Sequence, residues 1–153
     1  MTVNKKIKVA RLSRNAGIPK KATPEAAGLD LFAASAQIVP GARVKKNRVS
    51  VGRALIQTGI AIAIPKGSVG RIGSRSGLSV NHNVEVGAGW IDPDYRGEIL
   101  VELKNLGPTD FPVKRGMRIA QLFILRLGST GVEVVRSLPA SHRGKSGFGS
   151  TGI

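Results

Sequence analysis

Hydrophobic positions along this chain recur every second residue rather than every third or fourth. Ile60, Ile62 and Ile64 alternate with Ala61 and Ala63, and Ile99, Val101 and Leu103 alternate with Leu100, Glu102 and Lys104. A period of two sends successive side chains to opposite faces of an extended segment, so both stretches read as strands. From Ile119 to Leu125 both faces are largely apolar, as in a strand covered on both sides. Shorter candidates are Ile7 with Val9, Val49 with Val51, and Val132 with Val134. Turn signals lie between them at Val39-Pro40-Gly41, Pro65-Lys66-Gly67, Leu106-Gly107-Pro108 and Lys114-Arg115-Gly116. No helical stripe exceeds two turns, although residues 74–82 suit a short helix. Short strands punctuated by Gly and Pro predict an all-β sandwich or barrel over residues 1–140.

Residues 141–153 follow a different rule. They hold four glycines and, apart from Ile153, one large apolar residue, Phe148. Such a segment buries too little surface to offset its backbone entropy, so a mobile arm is expected. Its Arg143, Lys145, glycine-freed N–H groups and single ring suit closure over an anionic ligand.

Composition narrows the chemistry. The 153 residues amount to one domain, and the absence of Cys excludes disulfides, thiolate metal sites and thiol nucleophiles. His82 and His142 are the only imidazoles, too few for a histidine-built metal centre, and no apolar run is long enough to span a bilayer. The basic N-terminus has no apolar stretch behind it, so an unsecreted, intracellular protein of cytoplasm or nucleus is expected. Net charge is +15, with 12 basic and 2 acidic residues in positions 1–53. That excess makes non-specific nucleic-acid association through the basic residues of segment 5–21 a secondary expectation, beside solubility or substrate steering. Five of the nine acids (Glu85, Asp92, Asp94, Glu98, Glu102) fall within 18 residues. They read either as a local job for carboxylates or as a solvated hairpin that balances nearby cations.

Two segments carry candidate chemistry. Gly70-Arg71-Ile72-Gly73-Ser74-Arg75-Ser76-Gly77-Leu78 follows a strand and is dense in N–H, hydroxyl and guanidinium donors, the groups that bind phosphate. Gly87-Ala88-Gly89-Trp90-Ile91-Asp92-Pro93-Asp94-Tyr95-Arg96-Gly97-Glu98 offers a carboxylate pair on one side if extended, or a tight Pro-Asp turn. Gly144-Lys145-Ser146 is not a phosphate loop, because Pro139 stands where a glycine is needed and glycines follow where a helix must start.

Together these segments resemble the trimeric dUTP nucleotidohydrolases, the dUTPases. Ala27-Gly28-Leu29-Asp30-Leu31 resembles that family's first motif, Gly70-Arg71-Ile72 with Arg75-Ser76-Gly77-Leu78 its second, and Gly87 to Glu98 its third. Arg118-Ile119-Ala120-Gln121-Leu122 resembles the fourth, and Arg143 through Gly152 the fifth, the phosphate-clamping arm. The resemblance implies a distorted jelly-roll subunit in a homotrimer, with active sites at subunit interfaces and Mg²⁺ bound to the triphosphate. It implies hydrolysis of dUTP to dUMP and pyrophosphate, with Asp92 activating the water that attacks the α-phosphorus. It gives Tyr95 the deoxyribose, and the backbone of Gly87, Ala88 and Gly89 the uracil edge. Arg75, Ser76, Gly77 and Gln121 would hold phosphates, and Asp30 would support the hydrated Mg²⁺. Arg143 would meet the γ-phosphate, Gly149, Ser150 and Thr151 would add donors, and Phe148 would stack on uracil.

The sequence departs from the family's pattern at four places. Trp90 replaces a smaller aliphatic residue, Gly73-Ser74 replaces Ala-Pro, Met117 replaces Asp, and Ser146 replaces Gly. None removes a proposed catalytic group. The alternatives are a dCTP deaminase of the same superfamily, and a regulator or nucleic-acid-binding module on the same fold.

Overall fold

The structure, a computed structural model, describes residues 6–142 and 144–145. It is built from strands, with the single helix α1 at Ser76–His82 among the described residues. The first strands are β1 (Lys8–Arg11), β2 (Leu29–Phe32), β3 (Gln37–Val39), β4 (Arg43–Lys45) and β5 (Arg48–Ser50). Then come β6 (Gly52–Ala63), β7 (Ser68–Gly73), β8 (Val84–Val86) and β9 (Trp90–Ile91). The last are β10 (Glu98–Asn105), β11 (Phe111–Val113) and β12 (Arg118–Arg126).

Two four-stranded antiparallel sheets, ordered β1-β6-β10-β8 and β2-β12-β7-β9, share one core; β11-β3 and β4-β5 form two-stranded pairs. The alternation in the sequence explains the packing. Ile60, Ile62 and Ile64 turn inward from the β6 end, and Ile99, Val101 and Leu103 from β10. They meet Leu31, Ile72, Ile119 and Leu122 of the other sheet. Burying one such side chain stabilises the fold by about 1.5–3 kcal/mol. β12 is central in its sheet, between β2 and β7; Ile119, Ala120 and Leu122 are buried, but Phe123 and Ile124 are half-buried and Leu125 is exposed, so its second face is only partly covered. The all-β, jelly-roll-like class and the short helix are as expected.

One expectation needs correcting, and one open alternative resolves to the turn. Val132 and Val134 do not form a strand: they are almost fully exposed, and no strand of the described chain runs beside them. An extended apolar pair needs a sheet edge to bond with, and none is in reach within one chain. The segment 92–95 is not extended either. The Tyr95 N–H donates to the Asp92 carbonyl at 3.2 Å, which closes a turn, so Asp92 and Asp94 do not form a same-side strand pair.

Candidate active site

β9 adds the third-motif segment to the edge of β7, with Gly70 opposite Ile91 and Arg71 opposite Trp90. Gly89 is the close approach that makes this possible. Its carbonyl accepts from the Ile72 N–H at 2.7 Å, and a Cβ there would lie 2.5 Å from the Ile72 carbonyl oxygen. Ile91 turns into the core, leaving Trp90 and Asp92 on the outside. The indole neither fills core volume nor stands alone: it is 64% exposed, with the Arg71 guanidinium 4.9 Å from its centroid. Trp90, Asp92, Tyr95, Gly89 and Leu100 line one cavity of about 210 Å³. The Tyr95 hydroxyl donates to the Glu98 carbonyl at 3.0 Å, and its ring lies so close over Gly97 that a Cβ there would sit 2.4 Å from the hydroxyl oxygen.

The acidic cluster divides by role. Glu98 Oε1 accepts from the Gly59 N–H at 2.8 Å, and Glu102 Oε2 from the Ala88 N–H at 2.7 Å. Glu85 accepts from the Ser79 hydroxyl, and Ser74 accepts from the Val86 N–H at 2.8 Å. Hydrogen bonds from Ser74 and then Ser79 hold the Glu85 carboxyl below the ordinary glutamate range, against the opposing pull of burial. Ser74 therefore ties down the loop where the family's usual proline is missing. Three acids brace backbone and loop, whereas no hydrogen bond or ion pair engages the Asp92 carboxylate among the described residues.

A second cluster forms where β2, β7 and β12 meet. The Asp30 side chain is 2% exposed; its Oδ2 lies 3.3 Å from Arg118 Nη1 and its Oδ1 3.6 Å from Arg75 Nε. Gln121 Nε2 donates to Oδ1 at 3.3 Å, and Arg75 Nη1 donates to the Arg118 carbonyl at 3.2 Å. One buried carboxylate thus orients two guanidinium groups and an amide. Ser76 and Gly77 are exposed in the first turn of α1, where N–H groups have no intrahelical acceptor. Lys20, Lys21, Asp30 and Arg118 line an open basin of about 540 Å³.

The chain brings Asp92, Tyr95 and Gly89 together at one place and Asp30, Arg75 and Gln121 at another, and the two hollows share no lining residue. Of the three backbone positions assigned to uracil, Gly87 and Ala88 already donate their N–H groups to Glu102. Among the described residues only the Gly89 N–H of the three keeps its donor free. Arg118 and the bracing acids Glu85 and Glu102 escaped sequence reasoning as site residues; for Arg118 the available signal was its place at the head of the fourth motif. His82 packs its ring 5.2 Å from Phe111, a structural use. Met117, the Asp replacement, packs against the core. Arg143, Ser146, Phe148, Gly149, Ser150 and Thr151 lie outside the described residues.

A cationic cluster suited to phosphates and an unbraced carboxylate on a cavity wall, on an all-β fold, are compatible with hydrolysis of a phosphate anhydride. The comparisons agree. The dUTPase family model matches residues 14–152. The chain is 46% identical over 145 residues to the probable deoxyuridine 5'-triphosphate nucleotidohydrolase of Schizosaccharomyces pombe, covering 95% of this chain and 97% of the yeast protein. It is 44% identical to the corresponding protein of Oryza sativa, over 96% of this chain and 81% of that one. A mutant dUTPase of Staphylococcus bacteriophage 80alpha, solved with dUpNHpp, superposes with a TM-score of 0.85 at 27% identity, over 97% of this chain and 99% of that one. The chain belongs to the dUTPase family. Its reaction is the hydrolysis of dUTP.

Proposed function

We propose that Asp92 is the general base of this reaction, acting in a site completed by a second copy of the chain. The observation that carries the reading is the Asp92 carboxylate, free of structural partners among the described residues and on the wall of the cavity that Tyr95 also lines. Asp92 takes a proton from water, the water oxygen bonds to the α-phosphorus, and the bond from that phosphorus to the bridging oxygen breaks. The products are dUMP and pyrophosphate. Tyr95, held by Glu98 and Gly97, packs against the deoxyribose and leaves no room for a 2′-hydroxyl. The free Gly89 N–H reads the uracil edge, on a hairpin whose other donors Glu102 fixes. Arg75, Ser76, Gly77 and Gln121 bind phosphate oxygens, Arg75 and Gln121 oriented by Asp30.

The separation of the two clusters supports a homotrimer in which the Asp92 face of one subunit meets the Asp30–Arg75 cluster of another. The arm from Arg143 to Thr151 would close that composite site. The donor set fits Mg²⁺ delivered with the triphosphate rather than a protein cage. Among the described residues no three His, Asp or Glu converge, whereas a hydrated Mg²⁺ needs few carboxylates beside phosphate oxygens; Asp30, the one in the basin, has both oxygens on Arg75, Arg118 and Gln121 and would act only through the ion's water shell. When bound, the ion neutralises phosphate charge as it builds on the leaving group. Lys20 and Lys21 line that same basin, which supports a substrate-side use of part of the basic segment 5–21 rather than the nucleic-acid role.

The test is pyrophosphate release with Mg²⁺ from dUTP, dCTP, dTTP and UTP, repeated with dUTP in ¹⁸O-water. Release from dUTP alone, with the label in dUMP, is the expected result. Label in pyrophosphate would place attack at the β-phosphorus and overturn the mechanism.

A further inference from the structure

The β4–β5 pair forms a charged surface that catalysis does not use. Every residue from Arg43 to Ser50 is exposed, and the two strands pair as Arg43 with Ser50, Val44 with Val49 and Lys45 with Arg48. Residues directly opposite one another share a face, and successive residues alternate between faces. Arg43, Lys45, Arg48 and Ser50 therefore form one face, and Val44 with Val49 the other. Lys46 and Asn47 make the two-residue turn, both with positive φ (48° and 60°), so a fourth cation stands at the tip. Just beyond the ribbon, Arg53 lies opposite Lys104 on the neighbouring strand.

Nothing nearby neutralises this charge. Positions 31–84 contain eight Lys or Arg and not one Asp or Glu. Both ion pairs among the described residues are made by Asp30, so none of the ribbon's four cations is in one. Asp110, near the ribbon's base, is taken by the Gly41 N–H at 2.9 Å. Like charges a few ångströms apart without counterions call for a polyanion. The shape selects among polyanions. A two-stranded ribbon is an element that the major groove of duplex DNA, about 12 Å wide, admits. Its cations are spaced along a strand by about 6–7 Å, while duplex phosphates recur every ~3.4 Å of axis per strand. Two valines with no aromatic beside them are too little apolar surface to anchor in a lipid interface. The same ribbon of a second copy would set cation against cation.

We infer that the β4–β5 ribbon docks duplex DNA, held by phosphate contacts from Arg43, Lys45, Lys46 and Arg48 without reading base sequence. This surface is separate from the nucleotide site and gives the enzyme a means of staying beside the polymer whose precursor pool it cleans.

The experiment is fluorescence anisotropy of the full chain with labelled duplexes of two unrelated sequences, from about 50 to about 200 mM salt. Both duplexes bind alike, and four phosphate contacts weaken binding at least about 100-fold over that range. The variant Arg43→Ser/Lys45→Ser/Lys46→Ser/Arg48→Ser loses at least tenfold in affinity at ~50 mM, and its log–log salt slope falls by about 3 to 4, with dUTP hydrolysis unchanged as the check on folding. Val44→Ser/Val49→Ser, which keeps the cations, keeps the affinity. A control, Lys6→Ser/Lys8→Ser/Arg11→Ser/Arg14→Ser, removes the same charge elsewhere and changes affinity by less than about threefold. No duplex binding by the parent, an equal loss in the control, or capture of phosphatidylserine vesicles in place of duplex would each overturn the inference.

Discussion

The cluster around Asp30 and the hairpin that carries Asp92 are built on opposite plans. Asp30 is buried, and each of its oxygens faces a guanidinium group, so its charge is committed to holding Arg75, Arg118 and Gln121 in place. Asp92 is exposed at a turn and has no such commitment among the described residues, because Glu98 and Glu102 carry the bracing of that hairpin. A carboxylate that must accept a proton during a reaction cannot also be held by strong donors, since those stabilise its ionised form and weaken it as a base. On the proposed mechanism the two duties are separated by position, and Glu98 and Glu102 absorb the structural one in the Asp92 hairpin.

Exchanging each carboxylate for its amide breaks the comparison most directly. Asp92→Asn is expected to lower kcat by about 10²–10⁴ while leaving the melting temperature and the affinity for dUpNHpp nearly unchanged. Asp30→Asn should do the reverse: a stability loss of about 2 kcal/mol, reduced from that of a fully buried pair because both arginines reach solvent, and a rise in KM as Arg75 loses its orientation. Thermal unfolding and steady-state kinetics on the same preparations separate the two outcomes. If Asp30→Asn left both stability and KM untouched, the bracing role assigned to it would be wrong.

A smaller effect sharpens the same point at Glu85. Its carboxyl is held below the ordinary range, so its contribution is present in full above that range and is lost as pH falls through the depressed value. Glu85→Gln should therefore cost less than about 1 kcal/mol at neutral pH and nothing in strong acid. Denaturant titrations at the two pH values check this; a constant difference at both would mean that the charge of Glu85 is irrelevant.

How far the sequence foretells these regions depends on the range of the interactions. β6, β10 and β12 are legible because alternation is a local property and most of their inward positions are Ile, Val or Leu, Thr58, Asn105 and Ala120 being among the exceptions. The turns at Pro65–Ser68 and Lys114–Met117 are legible for the same reason, and each is closed by an N–H bond of 3.0–3.1 Å. The bracing of Asp30 is not legible, since Arg118 and Gln121 stand 88 and 91 positions away and meet it only through the β2–β12 register. The β4–β5 ribbon escapes because its turn, Lys46-Asn47, lacks glycine and relies on two non-glycine residues at positive φ. Val132 and Val134 show the opposite error, a local period with no strand beside it to pair with. The family motifs locate both hollows and imply a site shared between subunits; the fold adds that the two hollows have no lining residue in common.

Subunit mixing tests whether Asp92 of one chain works with Arg75 of another. Asp92→Asn and Arg75→Ala are each expected to be nearly inactive alone. Unfolded together in equal amounts and refolded, they form mixed oligomers in which an intact Asp92 from one chain faces an intact Arg75 from another. Random head-to-tail association then restores about a quarter of the wild-type rate. No recovery above the separate variants, in mixtures that have exchanged subunits, would mean that Asp92 and Arg75 act within one chain and would contradict the account.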